Sequence, residues 1–282
     1  MKALAYAKVN LALVVHQRTA DGFHPLRGLF QSVSLADTIE LVPSTTDEVT
    51  VSNDETPSDG TNLAWKAVEA IRRASRDPRA ISLHISKMIP SGAGLGGGSA
   101  DAAATIGLLA REHNIDDDLA MEIASSLGSD VPFALTGGTA LVRGRGEMID
   151  PVEPLTGFSL AIVVPPFGLS TPDVFHEWDR MGGPVGEAVP DSDLPTELRG
   201  REPIRNDLYP AALSLDPRIG EWRAELTSLW GTTVAMTGSG SALFAFFPSL
   251  DEASGAVEAV AVPVRAAEPV ALVDRGWESI DD

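Results

Sequence analysis

The sequence predicts a mixed α+β fold built in two halves, and three observations carry that reading. Alternating apolar runs of strand length and longer alanine-rich or amphipathic runs follow one another with no internal repeat. The 26 glycines and 20 prolines supply many tight turns rather than the long uninterrupted segments of a helical bundle. Near the middle, Pro151 and Pro154 break any regular element between Asp150 and Gly157. The halves are therefore expected at residues 1–154 and 155–282.

Residues 3–15 alternate and are rich in Ala, Val and Leu, which reads as a strand; Val33–Val42 and Glu48–Ser52 read as two more. Asn62 is placed to cap a helix over Ala64–Arg73. Ile81–Lys87 alternates as a strand. A glycine-dense loop, Pro90–Gly98, leads into an alanine-rich helix, Ser99–His113, with Asp101 in its first turn. Asp116–Asp118 caps a helix over Leu119–Leu127, and Gly137–Gly146 turns back into a strand. The second half opens on a buried-type strand, Ser159–Val164. Residues 179–203 carry Pro, Gly and acids without a period and read as a long mobile loop or insertion. Helices follow near Asp207–Ala212 and Arg218–Leu229. Then come a strand at Thr233–Met236, a loop at Thr237–Ser241, a strand at Ala242–Phe247 and a last strand near Pro269–Asp274.

Composition narrows the function classes. Hydrophobic residues at 44% suffice for a core and exclude a disordered chain. The formal net charge of -19 repels nucleic acid and anionic lipid, so neither is expected as a partner. An anion site in such a chain can still draw positive potential from backbone N–H groups at a helix N-terminus. There are no cysteines, which removes disulfides, thiolate nucleophiles and Cys-ligated metals together. The five histidines show no metal spacing, so no structural zinc is expected. Lys8 and Asn10 interrupt an N-terminal run that otherwise resembles a signal peptide, and no stretch approaches the roughly 18–20 apolar residues of a membrane span. The expectation is a cytoplasmic protein, monomeric or homodimeric, acting on small molecules.

The strongest chemical signal is Pro90-Ser91-Gly92-Ala93-Gly94-Leu95-Gly96-Gly97-Gly98-Ser99-Ala100. Five glycines in seven positions discard side chains so that backbone N–H groups can converge on an anion, and the helix beginning near Ser99 adds its positive end. A flexible loop without ligand is the bland alternative. A Walker loop fails, because no Lys-Ser/Thr pair follows the last glycine. Gly92, Gly94 and Gly97 satisfy the dinucleotide fingerprint, but the acids some 20 residues on, Asp116–Asp118, lie between two helices instead of ending a strand. A protein-kinase loop fails for want of H-R-D and D-F-G signatures.

At these residues the chain resembles the GHMP kinases, whose second motif has the form P-x-x-x-G-L-G-S/G-S/G-S. Thr237-Gly238-Ser239-Gly240-Ser241 resembles their third motif. Ala7-Lys8-Val9-Asn10-Leu11, followed by Arg18-Thr19-Ala20-Asp21-Gly22-Phe23-His24, resembles the first motif as the diphosphocytidyl-methylerythritol kinases carry it. Ser129–Phe133, Ser170–Phe175 and Arg205–Leu208 resemble further segments of that family. Phe23 stands where many members have Tyr, and Asp101 where some have Asn. The resemblance spans nearly the whole chain and is weakest at 43–60, 179–203 and 265–282. It implies a two-domain GHMP fold, with an N-terminal half like domain 2 of ribosomal protein S5 and a ferredoxin-like C-terminal half. The active site is then expected in the cleft between them.

The resemblance also implies roles, each with a plainer local reading beside it. Asp130 matches the catalytic aspartate that accepts the acceptor's hydroxyl proton; locally it reads as the N-cap of a helix starting at Val131, and the two roles can coexist. Lys8 matches the catalytic lysine, against a solvated strand lysine. Asn10, two residues on and on the same strand face, is expected at the substrate hydroxyl or a phosphate. Phe23 and His24 are expected on a cytosine ring, with Phe175 on its other face and Thr171 at the substrate phosphates. Core packing is the default for Phe175. Asn62 and Lys87 are expected to line the pocket of ATP, the co-substrate, and Ser99 to hold Mg²⁺ through its hydroxyl. Competing readings are a GHMP kinase for mevalonate, homoserine or a sugar, an NAD-dependent dehydrogenase, and a ligand-binding protein without turnover.

Overall fold

The first half is organised by two long strands. In β1 (Lys2–Val15), Ala3, Ala5, Ala7 and Val9 are fully buried, while Lys8 and Asn10 lie between two register shifts in its pairing with β2 (Leu26–Pro43). Such irregularities re-aim side chains next to sites. The computed structural model describes residues 1–20, 22–200 and 203–281, so Asp21 of the first motif lies outside the described residues. β2 starts seven residues before the strand expected at Val33, because Gly28 and Gln31 mask its alternation. Along its other edge it pairs first with β5 (Thr139–Gly144) and then with β4 (Ile81–Ser86). β3 (Glu48–Val51) adds to β4, β6 (Met148–Pro151) to β5, and β11 (Trp277–Ser279) to β1.

Asn62 caps α1 (Leu63–Ser75) as the sequence implies: its Oδ1 accepts from Ala64 N at 2.9 Å and Trp65 N at 3.3 Å. α2 (Gly97–His113) has every residue from Ala100 to Ala110 buried, because it is packed by α1 on one side and by β1 and β2 on the other. Its alanines let backbones approach on all faces. Asp116 caps α3 (Asp117–Leu127), and α4 (Val131–Thr136) follows.

In the second half, β7 (Ser159–Val164), β8 (Ala235–Met236), β9 (Leu243–Phe247) and β10 (Ala266–Ala271) form an antiparallel sheet in the order β10-β7-β9-β8. Helices α5 (Thr171–Arg180), α6 (Tyr209–Leu215) and α7 (Arg218–Trp230) lie between β7 and β8, and α8 (Leu250–Glu258) between β9 and β10. This is the β-α-β-β-α-β succession of a ferredoxin-like half. One buried apolar cluster runs from α2 and β1 to Leu160, Ile162, Phe244 and Phe246, so the halves share a core.

The structure corrects several expectations. α5, for which no helix was expected, opens at Thr171-Pro172 with Pro in its first turn. α8 is announced by Ser249, whose Oγ accepts from Glu252 N at 3.2 Å, a capping pattern the sequence reading passed over. Within the stretch read as a mobile loop at 179–203, residues 186–200 form a packed strap: Val189, Leu194 and Leu198 are buried, two short 3₁₀ turns stiffen it, and Asp193 accepts from Thr233. Arg201 and Glu202 lie outside the described residues. The tail, expected in the second half, returns to the first, where Leu272 bridges Val33 and β11 pairs with β1.

Tail docking requires bare backbone. A Cβ at Gly276 would overlap the carbonyl group of Ala134. Gly276→Ala is therefore expected to lose about 1–3 kcal/mol of stability and to melt at lower temperature. Gly255→Ala, a helical site with nothing within 4 Å, is the control expected to melt at or slightly above the parent. Equal melting of both variants would show that the tail is not held by this contact.

Candidate active site

A cavity of about 830 Å³ opens between the halves, lined by the glycine loop, β1, residues 22–24, Ser129-Asp130, the start of α5 and Gly238-Ser239. Three of the loop glycines, Gly92, Gly94 and Gly96, hold φ values of +65°, +82° and +73°. At Gly94 the need for glycine is also spatial, since a Cβ would stand 2.6 Å from the Thr237 carbonyl oxygen. The loop ends as the N-terminus of α2, which no side chain caps. Its first N–H groups lack intrahelical acceptors, and Gly97, Gly98 and Ser99 line the cavity. The arrangement is that of an anion cradle. Pro90, Ser91, Ala93 and Leu95 complete its wall, while Ala100 is buried behind it.

Lys8 and Asp130 face each other, with Lys8 Nζ 3.3 Å from Asp130 Oδ2. Lys8 Nζ also donates to Asn10 Oδ1 at 2.6 Å and lies 5.3 Å over the Phe30 ring. Asp130 precedes α4 but makes no cap hydrogen bond; its carboxylate turns to Lys8, with 31% of the side chain exposed. The cap reading of Asp130 is thus not realised. A carboxylate beside a buried ammonium, open to the cavity and next to an anion cradle, can receive a proton from a bound hydroxyl.

Lys87 reaches the cavity wall, but its ammonium is held by Asp37 and, at 2.7 Å, by Asp101. Asp37 also accepts from Met88 N at 2.6 Å and Ile89 N at 2.8 Å, so it anchors the segment that enters the loop. Asp101 has Lys87 alone, and its Oδ1 is buried with no partner. Burial pushes the Asp101 carboxyl up, the Asp37 charge pushes the same way, and Lys87 opposes both. Asn62 does not reach the cavity. Its Oδ1 is taken by the α1 cap and its Nδ2 by Pro57 O at 2.7 Å, so the pocket-lining role expected for it is replaced by a structural one.

The far compartment gathers Phe23, His24, Phe175 and Thr171. His24 stacks on Phe175 at 5.3 Å and meets Trp178 edge-on. Its Nδ1 faces the His16 carbonyl at 3.0 Å and its Nε2 faces Asp179 Oδ2 at 3.2 Å. Both partners are hydrogen-bond acceptors. His24 covers one face of Phe175. Phe23 is 49% exposed, and Arg145 lies over its ring at 4.0 Å. Thr171 Oγ1 is 2.7 Å from Ser239 Oγ. Sequence reasoning missed Asp37, Arg145, Asp179, and Arg265, which donates to Ser91 O at 2.8 Å and to Glu55 at 2.7 Å. The Gly144-Arg145-Gly146-Glu147 turn gave a signal for Arg145; nothing local marks Arg265.

Among the described residues, no group of three or more His, Asp or Glu could hold a metal ion, and the carboxylates lining the cavity are Glu55 and Asp130. Among the described residues, no helix is long and apolar enough to cross a membrane.

The comparisons with known proteins bear on the family of the chain. The GHMP kinases N terminal domain family matches residues 62–138 and the GHMP kinases C terminal family matches residues 199–263. A 4-diphosphocytidyl-2-C-methyl-D-erythritol kinase of Carboxydothermus hydrogenoformans is 37% identical over 262 residues, 90% of each chain. One of Rhodococcus jostii is 40% identical over 76% of this chain and 73% of its own. A crystal structure of 4-(cytidine 5'-diphospho)-2C-methyl-D-erythritol kinase superposes with a TM-score of 0.79 at 35% identity, covering 96% of this chain and 99% of the other. A homoserine kinase from Cytophaga hutchinsonii, at 19% identity and a TM-score of 0.71, shares the fold. Fold and cleft together define a small-molecule kinase of the GHMP class. Within it, the chain belongs to the 4-diphosphocytidyl-2-C-methyl-D-erythritol kinase family.

The buried triad has a measurable pH signature. With its folded pKa raised above the ordinary 3.8, Asp101 keeps a proton in the folded chain that the unfolded chain releases. Its contribution is full below the unfolded value and is lost as pH rises through the folded one. Asp101→Asn removes that loss. The stability difference between variant and parent, from urea unfolding, is expected to grow in the variant's favour from about pH 5 to about pH 8. A pH-independent difference would mean that Asp101 is ionised in the fold.

Proposed function

We propose that the chain transfers the γ-phosphoryl group of ATP to the 2-hydroxyl of 4-diphosphocytidyl-2-C-methyl-D-erythritol, a step in the non-mevalonate route to isoprenoid precursors. The observation that carries the reading is the position of the Lys8–Asp130 pair, in one cavity with the glycine cradle and the Phe23–His24–Phe175 compartment. ATP lies with its polyphosphate on the loop at Gly92–Ser99 and the N-terminus of α2. The base of the acceptor lies on the aromatic platform. Its hydroxyl then points at the gap between Lys8, Asn10 and Asp130.

The chemistry follows from those placements. The hydroxyl oxygen attacks the γ-phosphorus, its proton passes to Asp130, and ADP leaves with the electrons of the broken P–O bond. Lys8 Nζ stabilises the oxygen as charge develops on it, and Asn10 keeps that ammonium aimed. Thr171 and Ser239 face the acceptor's phosphates with their paired hydroxyls. Among the described residues no carboxylate cluster is set to hold Mg²⁺; the Ser99 hydroxyl would be its protein ligand beside nucleotide phosphates and water, and the ion would neutralise phosphate charge.

Acceptor-dependent ADP release tests the reading, with mevalonate, homoserine and galactose run in parallel. Release with the cytidyl compound alone is expected. Release with another acceptor keeps the kinase and overturns the substrate. Asp130→Asn is expected to lower kcat by about a hundredfold or more while ATP affinity stays within a fewfold, as loss of a proton acceptor requires. Unaltered turnover would remove Asp130 from the proton's path.

A further inference from the structure

Arg205-Asn206-Asp207-Leu208 has no part in the chemistry described above, yet Asn206 and Asp207 are among the most fully bonded buried polar residues of the chain. Asn206 is buried, and both hydrogens of its Nδ2 are used: one goes to the Met236 carbonyl at 2.9 Å, the other to the Gly238 carbonyl at 2.7 Å. Its Oδ1 accepts from Leu208 N at 2.9 Å. Those two carbonyls flank Thr237.

Thr237 is where the connection to the transfer centre begins. Its Oγ1 accepts from Asn10 N at 2.9 Å and lies 3.4 Å from Asn10 Oδ1, the atom that takes Lys8 Nζ at 2.6 Å. Lys8 in turn faces Asp130. Gly238, just beyond, is pressed on the phosphate loop: its Cβ direction meets Gly94 Cα and O at 3.0 Å. The circuit closes on β1, since Leu13 N donates to Arg205 O at 2.7 Å and Asp207 N to Leu13 O at 2.9 Å. The strand that carries Lys8 and Asn10 is thus also bonded to the residues on either side of Asn206, which holds the carbonyls flanking Thr237.

We propose that Asn206 is a positioning residue for phosphoryl transfer. It acts through Thr237 on the Lys8–Asn10 pair and through Gly238 on the phosphate loop, an inference that rests on the function proposed above. A primary amide alone supplies two donors and an acceptor in this plane. Aspartate has the same shape but sets a carboxylate against two carbonyl oxygens. Asp207 provides the contrast. Its carboxylate accepts from Val15 N at 3.2 Å, and from Gly186 N and Arg205 Nε at 2.9 Å, ties that hold the strap to β1 and touch no group at the cleft.

The test compares Asn206→Asp, Thr237→Val, their double variant and Asp207→Asn by melting temperature, kcat and ATP affinity. Asn206→Asp is expected to lower kcat about tenfold or more and to weaken ATP severalfold, while melting no lower than Asp207→Asn, whose kcat stays near the parent's. The double variant is expected to fall less than the product of the single losses, because both cut one chain of contacts. Asn206→Ser replaces the aspartate variant if that fails to fold. Kinetic losses that track melting temperature in both Asn206→Asp and Asp207→Asn, or losses that multiply in the double variant, overturn the proposal. If the parent releases no ADP with the cytidyl acceptor, the functional reading fails instead. The positioning role is then judged by ATP affinity, which must fall in Asn206→Asp and hold in Asp207→Asn.

Discussion

The cleft depends on a contact between two bare backbones. Gly94 of the phosphate loop and Thr237-Gly238 of the later loop come from opposite halves and meet with no side chain between them. Ala242 N seals the join by donating to Ala93 O at 3.1 Å. A single Cβ at Gly94 would force the loops apart against two backbones, neither of which can swing away as a side chain can. The shared core behind this contact, from α2 to β9, keeps the halves from sliding past one another. Lys8, on β1 beneath the join, inherits its position from both loops: its own N donates to Leu95 O at 3.0 Å, and its ammonium is steered by Asn10.

Electrostatics then sets what the cleft can hold. The chain carries a net charge of -19, yet the cavity must accept two polyphosphates. Its lysines do little to offset that charge, because each is matched: Lys8 by Asp130, Lys87 by Asp37 and Asp101. The raised Asp101 pKa fits this picture, since a third full charge in that buried cluster would leave it anionic directly behind the phosphate loop. Apart from Arg145 at the far compartment, attraction for phosphate therefore falls to the uncapped N-terminus of α2 and the N–H groups of the loop, fixed dipoles that carry no net charge and need no counter-ion.

How much of this was legible follows from the range of each signal. Local chemistry was read well: the cradle at Pro90–Ser99, the Asn62 and Asp116 caps, and the Lys8–Asn10 periodicity each depend on a few adjacent residues. Asp130 was found as a catalytic candidate through resemblance alone, because its local context describes a cap that its side chain does not make. The partners of Lys87 escaped, since Asp37 stands in the middle of a strand and nothing in its neighbours reports a lysine 50 positions on. The stretch at 179–203 was misjudged for a related reason. Its apolar residues follow no period, yet tertiary packing buries Val189, Leu194 and Leu198 while Met181 and Val185 stay exposed.

The helix that sequence reading missed also links the two compartments. Thr171, at the N-terminus of α5, meets Ser239 of the later glycine loop, while Phe175, Trp178 and Asp179 hold His24 one to two turns further on. From Thr171 to Asp179 the helix rises on the order of 12 Å. A helix keeps that length fixed, whereas a loop of the same residues would not. The aromatic platform and the Lys8–Asp130 centre are thus held at one separation, and β1 fixes the second of them independently through Asn10. An acceptor with its hydroxyl at a different reach from the ring would engage one compartment and leave the other empty. On the function proposed above, selection among alcohols in this cleft rests on length along α5 as much as on contacts made at either end.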